Sequence, residues 1–167
     1  MIVIHIDRRY VSRNRQARDA HRVTRMLASQ VLIPVDGSPS SLRALDFAIE
    51  MASQNPGTSL VLLNVQNISA MELAGAAMGS DWQETVSQAS AKALKGAVGK
   101  SEAAGMVFKT FVRTGQPAEA IAQVAREEDI KHIVMGTRGL GSIQGLLLGS
   151  VATKVIHLAE VPVTLIK

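Results

Sequence analysis

The chain contains no cysteine, which excludes disulfides, thiolate metal ligands and cysteine nucleophiles. Aromatic residues make up only 3% of the sequence, so the core must be built from Val, Ile, Leu, Ala and Met. No apolar run approaches the roughly 18 residues that a membrane-spanning helix requires. These absences predict a soluble cytoplasmic protein that has no membrane partner.

The chain is long and apolar enough for one domain with a sizeable core. It has 167 residues, of which 47% are hydrophobic, and a chain of this length typically buries about 70% of its unfolded surface. The net charge of +4 is uneven, because residues 1–30 contain seven arginines against two aspartates. The basicity therefore belongs to the first segment and carries no information about a ligand of the domain.

Residues 1–29 are predicted to form a basic N-terminal extension that is solvated or disordered. An arginine-rich arm could also bind nucleic acid or an anionic membrane surface. Beyond Tyr10 it has no interleaved aromatic residue and no nucleic-acid module, so we expect no specific nucleic-acid partner. Met26 stands just before the first predicted strand, and we hypothesise that residues 1–25 precede the natural start, which an intact mass including Met1 would contradict.

From residue 30 to residue 167 short apolar runs alternate with longer helical patterns, which is typical of a parallel α/β sheet. Four helices are predicted between the strands. The first has Ser38 as its N-cap and Pro39 at its first helical position, and its buried stripe is predicted to be Leu42, Leu45, Ile49 and Ala52. The second spans Asp81–Ala104, the third starts at Pro117 and the fourth spans Ser150–Ala159. The predicted strands are Val31–Val35, Leu60–Val65, Met106–Arg113, Ile133–Met135 and Val163–Ile166.

Two strands have unusual features. Pro34 lacks a backbone donor, which is rare within a central strand. In the third strand Lys109 and Arg113 share a face with Phe111, so one side is partly wet and the strand is predicted at a sheet edge.

The segment between the fourth strand and the last helix is rich in glycine. Gly136, Gly139, Gly141, Gly145 and Gly149 fall within fourteen residues at the carboxyl end of the sheet, where open α/β sheets bind ligands. Glycines allow positive φ and close approach of backbone N–H groups, and a helix N-terminus favours phosphate. A flexible connection whose glycines serve only turns is the alternative on physical grounds.

The spacing Gly136-x2-Gly139-x9-Gly149-Ser150 resembles the nucleotide-binding signature of the universal stress protein family. Val35-Asp36-Gly37-Ser38, Gly115-x-Pro117 and Pro162-Val163 extend the likeness over residues 31–167. The resemblance implies the ATP-binding subgroup and an adenine nucleotide α-hydrolase-like fold. It further implies one three-layer domain, in which four helices flank a five-stranded parallel sheet of order 3-2-1-4-5.

In ATP-binding members of that family the acid after the first strand contacts the nucleoside, and the end of the second strand contacts adenine through its backbone. The resemblance therefore assigns these roles to Asp36 and Val65, and the ribose and phosphates to the glycine signature. The predicted nucleotide-binding residues are Pro34, Val35, Asp36, Val65, Met135, Gly136, Arg138, Gly139, Gly149, Ser150 and Val151. Asp36 can also cap a turn, Arg138 can also be a solvated surface residue, and Gln144 is a weaker candidate.

Other chemistries lack a signal in this sequence. There is no GxxxxGK[ST] or GxSxG motif, and no two of the four histidines lie three or four residues apart. We expect no metal site from the protein alone, with Mg²⁺ reaching the site only through phosphates. Three functions stay open: regulatory binding of ATP, AMP or ADP; a nucleotide-independent homodimer formed through the last strand; and slow ATP hydrolysis.

Overall fold

In the computed structural model of the chain, the described residues are 29–67, 82–140 and 148–167. Strands and helices alternate through these segments, as the sequence predicts. The strands are β1 (Gln30–Pro34), β2 (Ser59–Gln66), β3 (Phe108–Thr114), β4 (His132–Gly136) and β5 (Val163–Ile166). The helices are α1 (Pro39–Ser53), α2 (Trp82–Ala103), α3 (Pro117–Glu127) and α4 (Ser150–Leu158).

The five strands form one parallel sheet in the order β3-β2-β1-β4-β5, which confirms the predicted fold class. One face packs against α1 and α2 through residues such as Leu45 and Leu94. The other face packs against α3 and α4 through residues such as Ile121 and Val155. The strand order reverses between β1 and β4, so the carboxyl ends of these strands flank the crevice where such sheets bind ligands.

Helix α1 starts as its sequence predicts. Ser38 is the N-cap, its hydroxyl oxygen accepts a hydrogen bond from the Ser41 N–H at 3.2 Å, and Pro39 fills the first helical position. The predicted buried stripe is correct at Leu45 and Ala52. Leu42 and Ile49 are only partly buried, whereas Ala44 and Ala48 of the same helix lie fully in the core.

Pro34 lies at the end of β1, where its missing donor shapes the sheet. The Val35 N–H donates to the Leu63 carbonyl at 2.8 Å, and successive residues of a strand face opposite neighbours, so Pro34 faces β4. The β1–β4 register pairs Val31 with His132 and Leu32 with Ile133, and stops before the proline. β1 therefore separates from β4 at their carboxyl ends, and the predicted strand is one residue out of position.

Strand β3 lies at the sheet edge, as its charged face predicts. The Lys109 ammonium and the Arg113 guanidinium lie 5.4 and 5.3 Å from the Phe111 ring centroid. Each cation also contacts a glutamate, Glu128 for Lys109 and Glu127 for Arg113. These contacts cover the aromatic ring with charge at the sheet edge.

Several sequence predictions fall outside the described residues. They concern the basic extension up to residue 28 and the middle of the glycine-rich loop, which includes Gln144. Within the described ranges, no helix is long and apolar enough to cross a membrane.

Candidate functional site

A groove of about 660 Å³ opens at the carboxyl ends of β1, β2 and β4, between the first turns of α3 and α4. This volume lies within the range of small-molecule sites. All eleven residues predicted from the sequence line it. They are Pro34, Val35, Asp36, Val65, Met135, Gly136, Arg138, Gly139, Gly149, Ser150 and Val151. Their common place in one groove is a fact of the fold, whereas their contact with a nucleotide stays a prediction.

Asp36 joins the end of β1 to the glycine-rich loop. One carboxylate oxygen, Oδ1, accepts the Ser38 N–H at 2.9 Å, and the other, Oδ2, accepts the Leu140 N–H at 3.0 Å. The turn-capping role considered for this residue is therefore present. A ligand hydroxyl could still donate to either oxygen, since each keeps a second lone pair.

Gly136 brings β4 close to the first turn of α1. A Cβ on this glycine would overlap the Ser40 hydroxyl oxygen and lie 2.9 Å from the Ser40 carbonyl carbon. The Ser40 hydroxyl also donates to the Arg138 carbonyl oxygen, so the start of the glycine-rich loop is hydrogen-bonded to α1. The glycine is required here because two backbones approach each other closely.

The next two described glycines also serve close packing. A Cβ on Gly139 would lie 2.5 Å from Asp36 Oδ2, and one on Gly149 would lie 3.3 Å from the Thr137 carbonyl oxygen. The Gly149 N–H donates to that same oxygen at 2.7 Å. The described glycines of this segment do not have positive φ, so the conformational reason expected from the sequence is wrong for them.

The polar end of the groove lies at the N-terminus of α4. Its N-cap is Gly149, and no side chain within the described residues caps the first turn. Ser150 and Val151 line the groove there, where helix N–H groups and the positive dipole end attract anions. Arg138 is half-buried in the same wall, and among the described residues no carboxylate pairs with its guanidinium. This end therefore suits a phosphate group.

The opposite end of the groove is apolar. Val65 at the end of β2 and Leu63 before it face Pro117 and Ile121 of α3, with Met135 from β4 alongside. Flat aromatic rings bind well between such side chains. The groove thus offers an apolar slot and an anion-binding end.

Several lining residues were not predicted from the sequence. They are Ser41, Leu63, Gln66, Asn67, Pro117, Ile121, Thr137, Leu140, Leu148 and Ala152. Most of them flank predicted positions at strand or helix ends, and that proximity is the signal that could have found them. Asn64 was also missed, although a polar residue inside the apolar run of β2 is a visible sign of a buried hydrogen bond.

Acidic groups are scarce in the groove. Among its described lining residues the single carboxylate is that of Asp36. In the same described ranges, no three His, Asp or Glu side chains come together as metal ligands. A cation at this site would therefore depend on oxygens supplied by its ligand.

Comparison with known proteins gives the same family at the level of sequence and fold. The sequence model of the universal stress protein family matches residues 28–167. A universal stress protein of Methanocaldococcus jannaschii is 32% identical over 144 residues, covering 84% of this chain and 83% of the relative.

Solved structures share the fold. A universal stress protein in complex with cAMP is 26% identical, with a TM-score of 0.62, covering 83% of this chain and 97% of the other. An Arabidopsis thaliana family member with AMP bound is 25% identical, with a TM-score of 0.60, covering 83% and 91%. The fold is the adenine nucleotide α-hydrolase-like one that the resemblance implies. The chain belongs to the universal stress protein family.

Proposed function

We propose that this chain binds an adenine nucleotide in the groove and acts as a cytoplasmic regulatory module of the stress response, with ATP the expected ligand and AMP or ADP the alternatives. The observation that carries the proposal is the pairing of an uncapped α4 N-terminus and an unpaired Arg138 with an apolar slot, within the described residues of one groove. The cAMP and AMP complexes of related proteins support it.

Each part of the groove has a matching part of the nucleotide. The adenine would lie between Val65 and α3, and the ribose beside Asp36. The phosphates would meet the first turn of α4 and the Arg138 guanidinium. Mg²⁺ would enter with the phosphates, because no other described acid besides Asp36 lines the groove.

Hydrolysis is the less favoured activity. Both Asp36 oxygens already accept backbone N–H groups, and the ribose hydroxyls would take their remaining lone pairs. A general base must lie within hydrogen-bond reach of the attacking water. We therefore propose that the bound state carries the function, and we expect ADP release no faster than from an Asp36→Ala control.

Calorimetry with ATP is expected to show a dissociation constant in the micromolar range, equivalent to about −8 kcal/mol. Adenine burial and several backbone–phosphate hydrogen bonds suffice for this affinity.

Gly149→Val is expected to lose binding, because a side chain at this N-cap would displace the Thr137–Arg138 backbone, 3.3–3.5 Å away. Mass spectrometry of ligand released from the purified protein would name the nucleotide.

The same titration can reject the proposal. Absence of both heat and a thermal shift with saturating ATP, ADP and AMP would exclude adenine nucleotide binding. Unchanged ATP affinity in a folded Gly149→Val variant would exclude the α4 N-terminus as the phosphate site.

A homodimer formed through β5 is a second proposal, favoured by the position of β5 at a sheet edge. The Pro162 and Ile166 carbonyls accept from β4, so by alternation Val163 and Leu165 present their backbone groups outward. In α4, the helix that precedes β5 in the chain, Ile156 and Leu158 are 45% and 36% exposed. A second copy of the strand could pair there.

Light scattering is expected to give twice the 17.8 kDa chain mass. Val163→Pro removes one outward N–H and should shift the protein towards monomer, whereas Val163→Ala loses a similar apolar contact but keeps the donor. A monomeric wild type, or equal dissociation of the two variants, would reject pairing through β5.

A further inference from the structure

A buried polar relay lies at the carboxyl end of β2. Asn64 is 2% exposed, and its Nδ2 donates to the Val35 carbonyl oxygen at 2.7 Å. Gln66 Nε2 donates to Asn64 Oδ1, also at 2.7 Å. The carbonyl can only accept, so it fixes the orientation of the Asn64 amide, and that amide in turn fixes the orientation of Gln66.

The Asn64 amide occupies the place of the next ladder bond between β1 and β2. The Val35 N–H donates to the Leu63 carbonyl, so in a parallel ladder the Val65 N–H would be the next donor to the Val35 carbonyl. That bond is not formed in the described structure, and Asn64 donates to the carbonyl instead.

The direction of the Val65 N–H follows from its neighbour. The Gln66 carbonyl oxygen accepts the Gly115 N–H at 3.0 Å, on the side of β3. The backbone groups of successive strand residues point to opposite sides, so the Val65 N–H points away from β3, towards the gap left where β1 ends. Val65 is half-buried and lines the groove at that point. Its N–H is thus a backbone donor held open beside the apolar slot.

We propose that Asn64 is a positioning residue for base recognition, which keeps the Val65 N–H free for a purine ring nitrogen by taking over the Val35 carbonyl. This inference rests on the proposed adenine nucleotide binding and deepens it. The free N–H matches the unprotonated N1 of adenine, whereas guanine carries a hydrogen on N1 and would oppose donor to donor. Asn64 would thereby favour adenine without touching the ligand.

Hydrogen exchange on the nucleotide-free protein tests the structural half of the proposal. In Asn64→Leu the Val35 carbonyl loses its side-chain donor, and the Val65 N–H is expected to close onto it. Exchange of the Val65 amide, resolved by NMR, should then slow at least tenfold relative to wild type, while the Leu63 amide changes little.

Parallel titrations with ATP and inorganic tripolyphosphate test the recognition half. Asn64→Leu is expected to raise the ATP dissociation constant about tenfold and to leave tripolyphosphate binding unchanged, because the phosphate end is untouched. The preference for ATP over GTP should fall by a similar factor. A general loss of stability would weaken the binding of both ligands together. A change in ATP binding without a change in tripolyphosphate binding therefore separates a positioning role from a merely structural one.

Asn55→Leu is the matched control, since exposed Asn55 also donates its amide to a backbone carbonyl, that of Met51, at 2.8 Å. It should change neither Val65 exchange nor either titration. Should Asn64→Leu not fold, Asn64→Ser removes the same bond, because its hydroxyl is one bond shorter than the amide.

The outcomes separate this inference from the proposed function. A wild type that binds ATP, with variants that bind it equally well or show unchanged Val65 exchange, overturns the Asn64 role alone. A wild type that binds no adenine nucleotide overturns the proposed function, and the recognition role of Asn64 with it.

Discussion

Gly136→Ala is expected to destabilise the domain by about 3 kcal/mol, at the upper end of the usual cost of overpacking. The new methyl group would overlap the Ser40 hydroxyl and approach the Ser40 carbonyl carbon and oxygen to 2.9 and 3.0 Å. Ser40 lies in the first turn of α1 and is buried, so its backbone cannot move without shifting the helix. Urea unfolding followed by circular dichroism measures the loss as a lower midpoint with an unchanged slope.

The control substitutes the same residue type where nothing obstructs the methyl group. Gly99 is exposed in α2, and apart from its chain neighbours and the backbone of its own helix no heavy atom lies within 4 Å of the position its Cβ would take. Gly99→Ala should therefore raise stability by roughly 0.5–1 kcal/mol through helix propensity. Equal stabilities of wild type and Gly136→Ala would show that β4 and α1 are not in backbone contact at this glycine.

The fold was predictable because its signals are local and repeated. Apolar runs such as Leu60–Val65 and capped helices such as the one after Ser38 each specify an element, and their alternation specifies a parallel sheet. The charged face of β3 even located the sheet edge. Strand bounds were less certain, since β1 ends at Pro34, whose missing N–H faces β4, and that neighbouring strand is invisible in the local sequence.

The positions of the groove residues were predictable from the family resemblance, but some physical reasons were not. Gly136 and Gly139 are required by close approach to Ser40 and Asp36, which are distant in sequence. The relay from Gln66 through Asn64 to Val35 depends on the register of two strands. Sequence patterns report periodicity and composition, whereas these contacts arise only when the elements pack.

Asp36→Asn is expected to raise the ATP dissociation constant at least tenfold while reducing stability by only about 1 kcal/mol. An amide has one acceptor oxygen, so it can keep the Ser38 contact of the turn or the Leu140 contact of the loop, but not both. Asparagine serves well in the turn, and we expect the loop contact to be lost. Without the Leu140 contact, the loop would depend on the Ser40–Arg138 and Thr137–Gly149 hydrogen bonds, and the position of the Arg138 side chain would be less well defined. Calorimetry at fixed ionic strength measures the effect.

The sign of this change distinguishes the anchoring role of Asp36 from a simple charge effect. Removing a negative charge from the groove should strengthen binding of the anionic ATP if electrostatic repulsion dominated. Asp46→Asn removes the same charge from the exposed Asp46–Lys100 pair on α1 and α2, so it reports that long-range contribution alone. We expect Asp46→Asn to bind ATP as the wild type does or slightly better. Tighter ATP binding by Asp36→Asn would contradict the anchoring role, because repulsion would then outweigh the loss of the loop contact.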